Sequence, residues 1–384
     1  MNKNELAYLK KQFKLDGTLV RINQIYSVYI NGDNREILGN MSRRFDALEE
    51  ELGEMLIKNF KKALTGQFDV KLFEQSFNEE NKDDKDGSYT ILNDIRNTNT
   101  KDDFVKESDK LIKKIIKNYP YDKSIVINCI QFTFFRENGS YEMILCTVNK
   151  AEKGKSEMIY EHENKGFDIK SQLDPIVNLK SPMDAFMYPV WENESINKDK
   201  VFYYSSKSHK VNATFVYNIL NCEIKLSAKQ EKEYFHNILN LTMGGKIKPN
   251  VLLELYEEIA YRFIDEEDDE YRRISKGILN NILTSLGADI QKDIEESFVE
   301  TLGDPNYEFK IDNILPDTSK KSINIGNSDT EIKITPKSLS NLRQVQNHNG
   351  EMFLVVRLNE NLQTEGFNFN VDSMDEFNKL IGQE

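Results

Sequence analysis

The sequence contains little cysteine. Its 3 cysteines, Cys129, Cys146 and Cys222, are odd in number and widely spaced, which indicates neither a disulfide framework nor a zinc cluster. Each of them lies in an apolar run of the sequence. We therefore expect buried free thiols that react slowly.

Long apolar runs and long basic runs are missing as well. No window approaches the roughly 18 apolar residues of a membrane helix, and the first residues contain no apolar signal core. These absences predict a cytoplasmic protein with no membrane partner. The net charge of −13, without a segregated basic run, argues against direct nucleic-acid binding.

Sequence motifs for cofactors and metals are incomplete. Residues 244–246, Gly-Gly-Lys, lack the upstream strand and the first glycine of a phosphate-binding loop. Residues 78–88 partly resemble an EF-hand calcium loop, but Lys82 and Asn93 stand where its first and last ligands belong. The acidic run 265–270 is interpreted as a solvated loop. The sequence thus predicts no cofactor and no metal site.

The 4 histidines form no recognisable catalytic pattern, because none has a second histidine four residues away. Two alternatives stay open. Glu161-His162-Glu163 could be half of a metal site, and Cys222 with His236 could be a thiol–histidine pair. Solvated polar residues in the first case and core packing in the second are the favoured interpretations, so no catalytic residue is predicted.

What the sequence does contain is the periodicity of an α+β fold. Strand patterns occur at Leu19–Ile30, Ser124–Phe135 and Tyr141–Val148, and Ile125–Ile130 is apolar on both faces, which predicts a central strand. Helical patterns occupy residues 2–14, 46–65, 102–118 and most of 227–302. Since strands and helices are segregated, we predict an α+β protein with mixed or antiparallel sheet regions and a helical segment between them.

The chain is long enough for several domains, with 384 residues. The polar residues 78–88 are interpreted as a linker, and a shift to helical patterns begins at Ser227. The predicted division is an N-terminal α+β segment, a central sheet-rich domain, a helical domain and a C-terminal α+β segment, with the bounds 1–77, 89–226, 227–303 and 304–384.

Aromatic residues are concentrated in the middle of the chain. Tyr188, Trp191, Tyr203 and Tyr204 lie close together in the sequence, and interface cores are rich in Trp and Tyr. We therefore predict that these four side chains bind a protein partner, whose identity the sequence does not give. The alternative interpretation is that they fill the core, as strand aromatics usually do.

Several segments together resemble domain-of-unknown-function family 4317. They are residues 4–14 followed by Arg21-Ile22, and the stretches 142–149, 188–205 and 221–235. The resemblance covers most of the chain and implies a bacterial protein, with no activity and no site residues to transfer. Members of the family typically have Cys-Gly-Cys-Tyr after the Arg-Ile pair, whereas this chain has residues 23–26, Asn-Gln-Ile-Tyr, so a redox or metal role of those cysteines is not open to it.

These features favour a non-enzymatic cytoplasmic bacterial protein that binds a protein partner, in an oligomeric state that the sequence does not predict. Two alternatives stay open: a hydrolase-like enzyme with dispersed acidic and hydroxyl residues, or a component of a nucleic-acid-acting or phage-defence-type assembly. Converging carboxylates in a deep pocket would favour the enzyme. A segregated basic face would favour the assembly, and an exposed apolar patch would favour a binding protein.

Overall fold

The computed structural model divides the chain into two compact units, Met1–Gln230 and Glu231–Glu384. The structure describes residues 1–152, 156–161, 165–171, 176–245, 249–263, 272–316, 323–335, 341–347, 349–358, 363–364, 367–368, 373, 375 and 377–378.

The first unit combines helices with a large sheet. Its helices are α1 (Lys3–Gln12), α2 (Glu50–Ala63), α3 (Ser88–Arg96) and α4 (Lys101–Lys117), with short 3₁₀ turns at Phe45–Ala47 and Glu79–Asn81 and a π-helix at Thr214–Ile219. Its strands are β1 (Val20–Ile30), β2 (Ile37–Arg44), β3 (Leu72–Ser76), β4 (Ile125–Arg136), β5 (Gly139–Glu152), β6 (Ser156–Glu161), β7 (Gly166–Ser171), β8 (Ile176–Val177), β9 (Asp184–Tyr188), β10 (Val190–Glu192), β11 (Ser195–Asn197) and β12 (Lys200–Ser205).

The main sheet runs in the order β2-β1-β4-β5-β9-β12-β3, and β8 pairs with β5 at one side. Every neighbouring pair is antiparallel. Two hairpins lie in this sheet: residues 31–36 join β1 to β2, and a two-residue turn joins β4 to β5, where Arg136 pairs with Gly139. The sheet is antiparallel, which confirms the α+β prediction and decides between the mixed and antiparallel forms that it allowed.

Helices cover the sheet on both faces. One apolar cluster joins the strands to α3, α4 and the π-helix, and a second joins them to α1 and α2. Adjacent residues of one strand belong to different clusters, as Ile25 and Tyr26 do, because successive side chains of a strand point to opposite faces. β4 is buried along ten consecutive residues, which confirms the prediction of a central, doubly covered strand.

The second unit is mainly helical. It contains most of α5 (Ala228–Thr242), followed by α6 (Pro249–Arg262), α7 (Lys276–Ser285), α8 (Ile294–Leu302) and the short α9 (Ile311–Ile314). Its strands are the antiparallel pairs β13 (Arg273–Ile274) with β14 (Phe309–Lys310), β15 (Ile323–Gly326) with β16 (Glu331–Ile334), β17 (Leu342–Gln346) with β18 (Met352–Val356), and β19 (Gln363–Thr364) with β20 (Phe367–Asn368). A capping box begins α5, because the side chains of Ser227 and Gln230 each accept a hydrogen bond from the other residue's backbone N–H.

This division of the chain differs from the predicted one. The segments 1–77 and 89–226 form a single unit, because β1 pairs with β4 and β3 pairs with β12 in one sheet. The region 78–88 therefore lies within a unit rather than between domains. The segments 227–303 and 304–384 are joined in the same way, since β13 pairs with β14 across the predicted boundary.

None of the helices in the described ranges is long and apolar enough to span a membrane.

Candidate functional site

The four aromatic residues predicted to bind a partner are all buried. Tyr188 and Tyr203 pack in the cluster beneath α3 and α4, whereas Trp191 and Tyr204 pack in the cluster beneath α1 and α2. The structure therefore places them on opposite faces of the sheet and does not bring them together. This burial favours the alternative interpretation that the four side chains fill the core. Partner binding by these four residues stays a prediction.

Trp191 has the packing of a core residue. It is 3% exposed, and its ring meets Phe134 edge-on at a centroid distance of 5.1 Å. The guanidinium of Arg136 lies over the indole ring, 5.2 Å from its centre. Removing this ring would therefore leave a cavity in the core; it would not remove part of an exposed binding surface.

A buried carboxylate, Asp184, lies at the start of β9, and no sequence pattern indicates a site at this position. The hydroxyl of Tyr121 donates to Oδ2 of Asp184 at 2.9 Å, and Nδ2 of Asn212 donates to the same oxygen at 3.0 Å. The hydroxyl of Tyr203 donates to Oδ1. Asn212 also accepts a hydrogen bond from the backbone N–H of Phe215, in the first turn of the π-helix. The network therefore ties the loop before the π-helix to the sheet.

Burial decides the electrostatics of this network. It raises the pKa of Asp184 above its ordinary value even though three side chains donate hydrogen bonds to it. Burial and the neighbouring carboxylate also raise the pKa of Tyr121 and Tyr203 well above the ordinary value of a phenol. Since Asp184 is only 4% exposed and its oxygens are occupied, it holds structure rather than offering a base to a substrate.

A serine–lysine contact near the π-helix also has a structural role. Nζ of Lys114 donates to Oγ of Ser88 at 2.9 Å, and it also donates to the carbonyl of Asp86 and to Oδ1 of Asn221. Oγ of Ser88 in turn donates to the carbonyl of Ile219. Burial lowers the pKa of Lys114, but the serine is fully buried and its proton is already committed. The pair therefore joins α3 and α4 to the end of the π-helix.

The three thiols are buried and unbridged, and Cys129 lies directly opposite Cys146 on the neighbouring strand. Cys222 donates to the carbonyl of Leu220 at 3.6 Å, and burial raises its pKa. His236 lies instead beside Tyr256, with Nε2 at 2.8 Å from the hydroxyl. Cys222 and His236 thus have separate local partners.

Several polar residues considered in the sequence analysis lie in parts of the chain that the structure does not describe. His162, Glu163, His348, Lys246 and the run 265–270 lie outside the described residues. In the part of the chain that the structure describes, no three or more His, Cys, Asp or Glu side chains are grouped as a metal site requires.

His236 is a half-buried imidazole whose titration should affect the stability of the second unit. Burial, together with Lys232, lowers the pKa of the imidazole below 6.5, so the folded state favours the neutral ring, which can accept the proton of Tyr256. A depressed pKa contributes stability above the unfolded pKa, and this stability is lost as the pH falls toward the folded pKa. We expect denaturant unfolding to show a fall in stability below pH 6.5 that is smaller in His236→Gln. An equal fall in both proteins would contradict this assignment.

The main sheet has one open edge, the outer side of β2. Ile37 is 46% exposed and Leu38 is 53% exposed. No side chain of β2 is fully buried. Among the described residues, β1 is the only strand that pairs with β2, and no other segment forms a backbone hydrogen bond with it. An edge of this kind presents unpaired N–H and C=O groups to a second chain.

The end of the opposite edge of the same sheet is covered. Residues 221–225 lie along β3: Phe77 bridges to Cys222, and the N–H of Glu223 donates to the carbonyl of Ser76 at 2.9 Å. The N–H of Lys225 donates to Oε1 of Gln75 at 3.1 Å. The chain therefore pairs the end of one edge with its own backbone, whereas no described segment covers the other edge.

The open edge has a regular part and a bulge. From Gly39 to Arg44 the register with β1 is continuous, but it skips Leu38, so Leu38 is the extra residue of a bulge. Bulges end regular pairing. The part of β2 that can accept another strand is therefore Gly39–Arg44, with the apolar pair Ile37 and Leu38 just beyond it.

The charge of the open edge differs from that of the whole chain. β2 contains two arginines and no acidic residue, in a protein of net charge −13. Arg44 is held by Asp46 through two hydrogen bonds of 3.1 and 2.5 Å. Arg43 is exposed and has no ion-pair partner among the described residues. The unoccupied charge on the edge is thus positive.

A cleft of about 680 Å³ follows the end of β2. It is lined by residues from the α1–β1 loop, the first half of β1 and the start of α2, and its charged residues are Lys14, Asp16, Arg21, Arg44, Asp46, Glu49 and Glu50. Both signs are present, so the cleft does not select an anion or a cation. Its position allows a chain that lies along β2 to continue past Arg44.

Comparison with known families gives one result. The sequence model of one family, Domain of unknown function (DUF4317), matches residues 1–367 of the chain. Neither the curated proteins nor the solved structures include a match to this chain.

Proposed function

Because the chain belongs to the DUF4317 family, a domain family of unknown function, we propose its role from the structure: it binds a protein partner that adds a strand to the open edge of β2. In this proposal the partner is a protein of the bacterial cytoplasm, the compartment that the sequence favours. The function is the one predicted from the sequence, but its site is β2 rather than the buried aromatic residues.

The contrast between the two sheet edges carries the proposal. A folded protein usually protects its edge strands, with covering segments, charges, proline or bulges. Residues 221–225 pair with the end of β3, whereas Gly39–Arg44 carries two arginines and adjoins the bulge at Leu38 but has no covering segment among the described residues and no proline. Strand addition uses such an edge: main-chain hydrogen bonds supply affinity, and neighbouring side chains supply specificity. Ile37 and Leu38 offer apolar area beside the edge.

The enzyme alternative has less support. Asp184, the buried carboxylate with the raised pKa, is closed to solvent and fully hydrogen-bonded. Ser88 is buried and donates its proton to a backbone carbonyl. Neither group is placed to meet a substrate.

The test is site-specific cross-linking in the native host. A photo-reactive amino acid at position 38 should capture a defined protein, whereas the same residue at position 55 should not. Met55 is a matched control, because it is 43% exposed and lies on α2 in the same unit. The double variant Ile37→Glu with Leu38→Glu should reduce recovery of that protein at least about tenfold, since burying two unpaired carboxylates costs several kcal/mol.

Folding should not explain this loss. Both side chains are exposed, so the free energy of unfolding of the double variant should lie within about 1 kcal/mol of the wild-type value. Recovery of the same proteins by the wild type and the double variant would exclude β2 as the binding site.

A further inference from the structure

We infer that the partner segment is an antiparallel strand with one acidic residue opposite Arg43, followed by two adjacent apolar residues just beyond the position opposite Gly39, where they reach Leu38 and Ile37. This inference rests on the proposed function and adds the chemistry of the partner. It follows from the register, the charge and the apolar pair of β2.

The register fixes the spacing. In an antiparallel pair, partner residues advance as the residues of β2 decrease in number. A segment that starts opposite Arg43 therefore passes Ser42, Met41, Asn40 and Gly39 before it reaches the bulge at Leu38. Antiparallel addition also continues the arrangement of the sheet, in which every neighbouring pair is antiparallel.

The charge fixes the residue opposite Arg43. Opposite charges on directly facing residues of neighbouring strands stabilise the pair. The guanidinium of Arg44 is already bonded to Asp46, so Arg43 is the cation that remains for a partner. The net charge of −13 repels a strongly acidic chain, so the complement is a single carboxylate rather than an acidic run.

A second copy of this chain fits the edge less well. β2 contains no acidic residue, so no pairing of two β2 strands can place a carboxylate opposite Arg43. In a two-fold antiparallel pair centred between Met41 and Ser42, each Arg43 faces Asn40. The partner that complements this edge is therefore a different sequence.

The experiment uses the full chain and labelled extended peptides of about ten residues. One peptide carries a glutamate and two leucines at the inferred spacing, and a second carries lysine in place of the glutamate. Fluorescence anisotropy should show that the wild type prefers the glutamate peptide. Arg43→Glu should lower the affinity for the glutamate peptide about two- to fivefold, as expected for an exposed ion pair. The same variant should bind the lysine peptide more tightly than the glutamate peptide.

Backbone pairing is tested with N-methylated peptides. Methyl groups on alternate amides along one edge of the glutamate peptide should abolish binding, whereas methyl groups on the other edge should be tolerated, because an added strand bonds β2 along one edge only. Equal tolerance of both patterns would overturn strand addition. The double variant at Ile37 and Leu38 should lose the peptide, and Met55→Glu should retain it.

The outcomes separate the two proposals. If cross-linking at position 38 captures a protein but neither peptide binds, the inferred partner chemistry is wrong and the proposed function stands. If neither cross-linking nor peptide binding occurs, both fail. If sedimentation of the wild type alone shows a dimer that the double variant dissociates, the occupant of the edge is a second copy and the inference is overturned.

Discussion

Replacing Trp191 with alanine should lower the free energy of unfolding by about 3–5 kcal/mol, the usual cost of truncating a large buried aromatic residue. The indole is 3% exposed, lies edge-on against Phe134 and is covered by Arg136. Alanine would leave a cavity at the end of the sheet and remove the surface on which the guanidinium rests. Denaturant unfolding followed by circular dichroism measures this loss without relying on the fluorescence of the only tryptophan.

Tyr217 provides the matched control. It is 56% exposed in the π-helix, so Tyr217→Ala should change stability by no more than about 0.5 kcal/mol. A stable Trp191→Ala variant that fails to capture a partner would instead support the prediction that Trp191 anchors an interface. The burial of the ring leads us to expect the opposite: a less stable protein whose remaining folded fraction still binds through β2.

Local periodicity explains which elements could be predicted. The run Ile125–Ile130 identifies a strand that is apolar on both faces, and β4 lies between β1 and β5 with both core clusters against it. The helical pattern of residues 102–118 corresponds closely to α4. In each case the signal lies within a dozen or so consecutive residues, where apolar spacing is decided by the element itself.

Elements that depend on distant partners were not predicted. α3 follows the polar stretch 78–88 and contains Asn93 and Asp94, which are weak helix formers, so its stability comes from packing Ile91 and its neighbours against the sheet. β3 has five residues, and its alternation is obscured by the buried Gln75. β3 is a strand because it pairs with β12, which lies more than 120 residues later in the chain. Such a distant pairing produces no pattern within the sequence of β3 itself.

The site was hard to predict for a related reason. Tyr203 and Tyr204 are adjacent in a strand, and successive side chains of a strand point to opposite faces. The alternation alone therefore predicts that the two side chains point to opposite faces of the sheet. Only the fold shows that helices cover both of these faces. The open edge of β2 depends on which segments do not pair with it, and no pattern within Ile37–Arg44 records that. Charge was more informative, because the two arginines at the end of β2 are visible in the sequence.

The second large effect is expected at Asp184, whose replacement by alanine should cost about 3–5 kcal/mol of unfolding free energy. The substitution would leave the hydroxyls of Tyr121 and Tyr203 and the amide of Asn212 without their common acceptor, in a region closed to water. Tyr121→Phe removes a single donor and should cost about 1.5–3 kcal/mol. Denaturant titration of each variant, with the unfolding of the first unit as the readout, measures both losses.

Asp184→Asn separates the charge from the packing. It keeps the size of the side chain and one acceptor oxygen, so it should cost less than alanine. Burial raises the pKa of Asp184, and a raised pKa contributes stability below the unfolded pKa that is lost as the pH rises through the folded pKa. The stability margin of the wild type over Asp184→Asn should therefore shrink as the pH rises. A margin that grows with pH would mean that hydrogen bonding outweighs burial at this carboxylate. Loss of a catalytic turnover in a variant that folds normally would reopen the enzyme alternative.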